Sequence, residues 1–79
     1  MSHNEAWETW VKRMLKAELK SKGFTYSDLV NKLYEIGIVE SEPNIRNKIS
    51  RGKFSAVFLL QCHAAMGSES IIVPRFDNN

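Results

Sequence analysis

The sequence predicts an all-α fold, a single domain of four helices. Three observations carry this reading. Apolar residues recur at three- and four-residue spacing over residues 5–22, 26–35 and 43–50, and a fourth segment, 56–66, is apolar nearly all round. Each segment is followed by a glycine (Gly23, Gly37, Gly52, Gly67), the residue that most readily ends a helix. The longest β-branched run, Ile71-Ile72-Val73, is cut off by Pro74 and leaves room only for a short C-terminal strand.

The first helix is expected from about Glu5 to Lys22. Ser2 and Glu5 have capping-box spacing, with Asn4 as the rival cap. Trp7, Trp10, Val11, Met14 and Leu15 form its apolar stripe, and Lys12, Arg13, Lys16 and Lys20 its basic side. Both tryptophans are expected in the core rather than as a base-stacking platform. Glu18 falls at the edge of the stripe, where an unpaired carboxylate is costly, so a cation or backbone N–H partner is expected. The second helix, about Tyr26 to Glu35, has Thr25 as N-cap and Asp28 three residues on, with Phe24 and Leu29 at staple spacing. Its buried side is Leu29, Val30, Leu33 and Ile36.

The third helix is expected from Pro43 to Ser50. Proline suits a first helical position and disfavours helical geometry at Glu42. Ile45 and Ile49 face inward. The fourth helix, about Ala56 to Met66, is capped by Ser55, with Phe54 and Leu59 repeating the staple. Val57, Leu60 and Ala64 form one side of it, and Phe58, Leu59, Cys62, Ala65 and Met66 another. A helix this apolar is either central or covered on its second face by something else. The ordered core is placed at about residues 5–67 and the tail at 68–79, with Asp77-Asn78-Asn79 fraying.

With 79 residues the chain has room for one domain and no separate effector domain. A hydrophobic content of 43% is wrong for a disordered chain. The single Cys62 excludes an internal disulfide and a cysteine-based zinc site. The longest apolar run, Ala56 to Leu60, is far short of the roughly 20 residues of a membrane span. No basic-then-apolar leader opens the chain, so a cytoplasmic location is expected. Cys62 and His63 are adjacent on a helix and point roughly 100° apart, so they cannot serve as a nucleophile–base pair. No phosphate-cradling glycine loop, metal-spaced histidine pair or strand-to-helix serine motif is present. No enzymatic activity, cofactor, metal or small-molecule substrate is expected.

The net charge is only +2, but its distribution is uneven. Residues 43–68 contain no acid, yet include Arg46, Lys48, Arg51 and Lys53. The second and third helices, joined by a turn containing Gly37, have the layout of a helix-turn-helix DNA reader. With Ile45 and Ile49 inward, Asn47 points directly outward, flanked by Pro43, Asn44, Ser50 and Arg51. Asn44, Asn47, Ser50 and Arg51 are the candidate base contacts in a major groove ~12 Å wide. Arg46, Lys48, Lys53, Lys16 and Lys20 are the candidate phosphate contacts. The turn is longer than the usual three or four residues, and Glu40 and Glu42 within it are expected to face sideways. Double-stranded DNA is thus the expected partner. The rival is a protein-interaction or dimerisation module, with Val57, Leu60, Ala64, Ile71, Ile72 and Val73 as the contacts of a homodimer.

The run from Trp10 to Lys20, with Gly23-Phe-Thr-Tyr, Asn44-Ile-Arg-Asn-Lys-Ile-Ser-Arg-Gly-Lys-Phe-Ser-Ala and Gln61-Cys, resembles a small bacterial family known only as a domain of unknown function. The resemblance covers about Trp7 to Gly67 and implies no particular activity. More distantly, Gly23-x-Thr25, Leu29, Gly37 and Ile49-Ser-Arg-Gly-Lys resemble phage-repressor-like helix-turn-helix domains, compact and usually dimeric DNA-binding units. That resemblance implies a bacterial transcription regulator. The lengthened turn departs from its pattern, and either Ile45 or Ile49 can take its core position.

Overall fold

A computed structural model describes residues 3–75. It contains four helices: α1 (His3–Ser21), α2 (Tyr26–Glu35), α3 (Glu42–Arg51) and α4 (Ala56–Ala65). No strand occurs among the described residues, and Ile71 to Val73 run as irregular chain. Ser2 and residues 77–79 lie outside the described residues, and with them the proposed Ser2–Glu5 box and the fraying end.

The local signals act as their chemistry requires. The Thr25 hydroxyl accepts from the Asp28 N–H at 3.1 Å, and the Asp28 carboxylate accepts from the Thr25 N–H at 2.8 Å, a closed capping box. These bonds hold the exposed Asp28 carboxyl below its ordinary value. Ser55 caps α4 through the Phe58 N–H at 3.0 Å. Phe54 meets Phe58 edge to face, ring centres 5.3 Å apart.

The start of α3 differs from expectation. The helix begins at Glu42 with Pro43 inside its first turn, and the cap is Ser41, whose hydroxyl accepts from the Asn44 N–H at 3.3 Å. Proline lacks an N–H, and any of the first helical positions would leave that group unpaired, so a place after Glu42 costs no hydrogen bond.

One core unites the helices: Leu15 and Leu19 of α1, Leu29 and Leu33 of α2, Ile45 and Ile49 of α3, and Phe58 and Cys62 of α4, closed by Met66. Helix α2 packs on α3 and α4, and α1 packs on α3. The α1–α3 contact is close. Gly52 caps α3 with φ 65°, and a β-carbon there would overlap the Glu8 carbonyl oxygen of α1.

The apolar stripe of α1 divides. Leu15 and Leu19 are buried, whereas Trp7 remains 43% exposed and Trp10 half-buried, so neither tryptophan reaches the core proper. They line an apolar groove of about 150 Å³ with Met14, Leu59 and the tail residues Ile71 to Pro74. Among the described residues Glu18 has neither the cation nor the backbone N–H partner expected of it. It is half-buried beside Trp10 and Arg13, and no ion pair within 4 Å among the described residues involves it.

Candidate nucleic-acid interface

Helix α3 divides cleanly into two sides. Ile45 and Ile49 have no exposed surface, and Pro43, Asn44, Arg46, Asn47, Ser50 and Arg51 are all exposed. The inward pair comes from the four-residue spacing, which stacks two β-branched side chains on one side of the helix. The αL cap at Gly52 then stops α3 directly after Arg51, so the outer arc ends in a cation beside the helix C-terminus, where the dipole favours positive charge.

The two shoulders are built differently. On one, the Arg46 guanidinium stacks on the Tyr26 ring at 5.2 Å and pairs with Glu42 at 3.2 Å. On the other, Lys48 lies over the Phe58 ring at 4.6 Å, and its ammonium donates to the Glu40 carboxylate at 2.7 Å. The Glu40 side chain is only 12% exposed, and its second oxygen accepts from the Asn44 side-chain amide at 3.4 Å. Neither acid simply faces sideways. Each reaches along α3 to a polar residue of the proposed interface, and Lys48 spends its charge within the fold.

The remaining candidate phosphate contacts do not stay together. Lys16 and Lys20, from the second half of α1, line a cleft of about 380 Å³ with Phe24, Thr25, Tyr26 and Arg46. The structure thus brings three of the five expected phosphate contacts together. Lys53 lies apart, 4.0 Å from the Glu8 carboxylate.

The α4 contacts expected of a dimer separate into an exposed set and a tail. Val57 is 61% and Leu60 59% exposed, and Ala64 is exposed between them and the tail. Ile72 and Val73 are likewise exposed, while Ile71 is half-buried. Cys62 is fully buried, and burial pushes its thiol up to about 12, consistent with a small core residue. His63, the neighbour of Cys62 on α4, is buried, and its Nδ1–H donates to the Leu59 carbonyl at 3.1 Å. No group of three or more potential metal ligands occurs among the described residues. No helix among them is long and apolar enough to cross a membrane.

Residues 7–71 match the model of a family described as Domain of unknown function (DUF6471). The chain belongs to this family. The DUF6471 match takes in α1 from Trp7 onward and all of α2, α3 and α4 with their connections, and so every candidate DNA contact; of the proposed dimer contacts, only Ile72 and Val73 lie beyond it. No curated protein and no solved structure matches the chain. The resemblance to phage-repressor-like domains therefore stands on the quoted residues alone.

Proposed function

We propose that this chain is a small, non-enzymatic DNA-binding module, a bacterial transcription regulator that enters the major groove with α3. The observation that carries the reading is the division of α3. Its apolar pair is wholly buried, while Asn44, Asn47, Ser50 and Arg51 form an open polar arc with no carboxylate among them. An anionic partner penalises every acid on its contact surface, and the acids nearest this arc are both engaged by cations or amides of α3 itself. Asn can read adenine and Arg guanine through paired hydrogen bonds, each worth ~1–3 kcal/mol of discrimination. The α2–α3 pair serves as a helix-turn-helix with a lengthened connection, and α1 supplies flanking phosphate contacts from Lys16 and Lys20.

A shift assay across salt concentration tests this. Phosphate contacts make log affinity fall with log salt at about 0.9 per phosphate engaged. Arg46→Glu with Arg51→Glu should abolish binding without unfolding the chain. Selection from random oligonucleotides should enrich a motif, and failure to enrich any sequence removes the reading.

The exposed Val57, Leu60 and Ala64 favour a second reading, a protein-interaction or dimerisation surface on α4. Under it, Leu60→Lys changes the sedimenting mass or the capture of a partner and leaves DNA binding unaltered. Under the first reading alone, Leu60→Lys changes nothing.

A further inference from the structure

We propose that the cleft between α1, the start of α2 and α3 is a phosphate site, and that its occupant is one phosphodiester of a nucleic-acid backbone. The choice of occupant rests on the DNA-binding reading above; the phosphate chemistry does not. Lys16 and Lys20 stand one helical turn apart on the same side of α1 and line the cleft, with Arg46 contributed by α3. Neither lysine has an ion-pair partner among the described residues. The one carboxylate lining the cleft, Glu42, pairs with Arg46 at 3.2 Å in an exposed ion pair that an incoming phosphate can open. Like charges at this spacing repel, so an anion between the two ammonium groups relieves a tension that the folded chain retains.

The surroundings favour phosphate over a diffuse counterion. Leu19, Phe24 and Tyr26 give the cleft apolar walls, and a low-dielectric concavity focuses the field of the cations lining it. The Arg46 guanidinium lies over the Tyr26 ring, 5.2 Å from its centre, and guanidinium matches phosphate oxygens two at a time. The Thr25 hydroxyl, which accepts from the Asp28 N–H, keeps its own proton to donate. Arg46 belongs to the helix that carries Asn47 and Arg51. A phosphate seated here therefore lies beside the groove that α3 would enter, not at a remote patch.

The test is an amide-resolved NMR titration of the full chain at constant ionic strength, with pyrophosphate as one probe and a short mixed-sequence duplex as the other. Both should give saturable shifts at Thr25, Tyr26 and Arg46. The double variant Lys16→Gln, Lys20→Gln keeps good helix formers at two exposed sites. It should weaken pyrophosphate about tenfold or more and reduce the salt slope for duplex by about one. Its urea midpoint, measured alongside, reports whether the fold is intact. Silence at the cleft toward both probes, or wild-type affinity in the double variant, overturns the proposal. If duplex binds and is weakened by Arg51→Gln while the cleft signals stay still, the site falls and α3 as the reading helix stands. If pyrophosphate titrates the cleft and no duplex binds, the phosphodiester assignment falls together with the DNA-binding reading.

Discussion

Replacing Gly52 by alanine tests the packing on which the proposed interface depends. The substitution acts through two separable effects. Glycine adopts φ 65° here, a left-handed conformation that costs an alanine about 1–2 kcal/mol. The added methyl also meets α1: it overlaps the Glu8 carbonyl oxygen, and lies 3.1 Å from that carbonyl carbon and 3.4 Å from the Lys12 β-carbon. The carbonyl is backbone within a helix and cannot swing aside, so α1 and α3 must separate. Overpacking of this kind costs about 1–3 kcal/mol. The expected total is about 2–5 kcal/mol, against the roughly 4–12 kcal/mol expected for a domain of this size. Gly37→Ala is the matched control, because Gly37 has φ 85° with no atom within 4 Å of its β position. It should lose the conformational part alone, about 1–2 kcal/mol. Urea titrations followed by the fluorescence of Trp7 and Trp10 give both values. A gap of about 1–3 kcal/mol between the variants is expected. Equal destabilisation would show that α1 and α3 yield at Gly52, and the close approach would then carry no stability.

Asp28→Asn should destabilise the chain at neutral pH through the α2 cap, and the deficit should vanish in acid. The folded carboxyl lies below its ordinary 3.8, so its contribution is full above that value and lost as pH falls through the lower folded one. Urea midpoints of both proteins at pH 7 and at a pH well below the lowered folded value check this; a deficit that persists there undiminished refutes it. Cys62, buried and with its thiol pushed up to about 12, should resist aromatic disulfide reagents at pH 8 in the native state and react at once in denaturant. Rapid native reaction would show that α4 opens locally far more often than its packing allows.

The parts of this fold that could be read from sequence are those fixed within one turn of helix. Thr25 with Asp28, and Ser55 with Phe58, satisfy N–H groups three residues away, and Ile45 with Ile49 faces inward by spacing alone. Proline is compatible with more than one early helical position, so Pro43 alone does not fix the α3 start; the Ser41 hydroxyl, which accepts from the Asn44 N–H, does. Trp7 and Trp10 show a different limit. Periodicity gives a direction around a helix, but not how far along it the core extends; the neighbours of α1 reach Leu15 and Leu19, while the tryptophans lie toward the tail. At the proposed site, the Glu40–Lys48 pair spans eight residues across a turn, and no spacing rule predicts it. The joining of Lys16 and Lys20 with Arg46 likewise depends on how α1 crosses α3.

The two ion pairs beside α3 differ in what it costs to open them, and this decides which cation can serve DNA. Arg46 and Glu42 are both substantially exposed and four residues apart on one helix, a pair worth about 0.3–0.5 kcal/mol. A phosphate can replace Glu42 at little expense, since the released carboxylate returns to water. Glu40 is far less exposed, and Lys48 is its cation. Drawing Lys48 away leaves a poorly solvated acceptor unpaired, at about 1–3 kcal/mol. Arg46 is therefore the shoulder available to a nucleic acid, and Lys48 holds the α2–α3 connection against α3 and Phe58. Arg46→Gln should weaken duplex binding with little change in the urea midpoint, whereas Lys48→Gln should lower the midpoint and leave affinity nearly unchanged wherever the chain is folded. Equal losses of affinity in two fully folded variants would place both shoulders on the phosphates and refute the division.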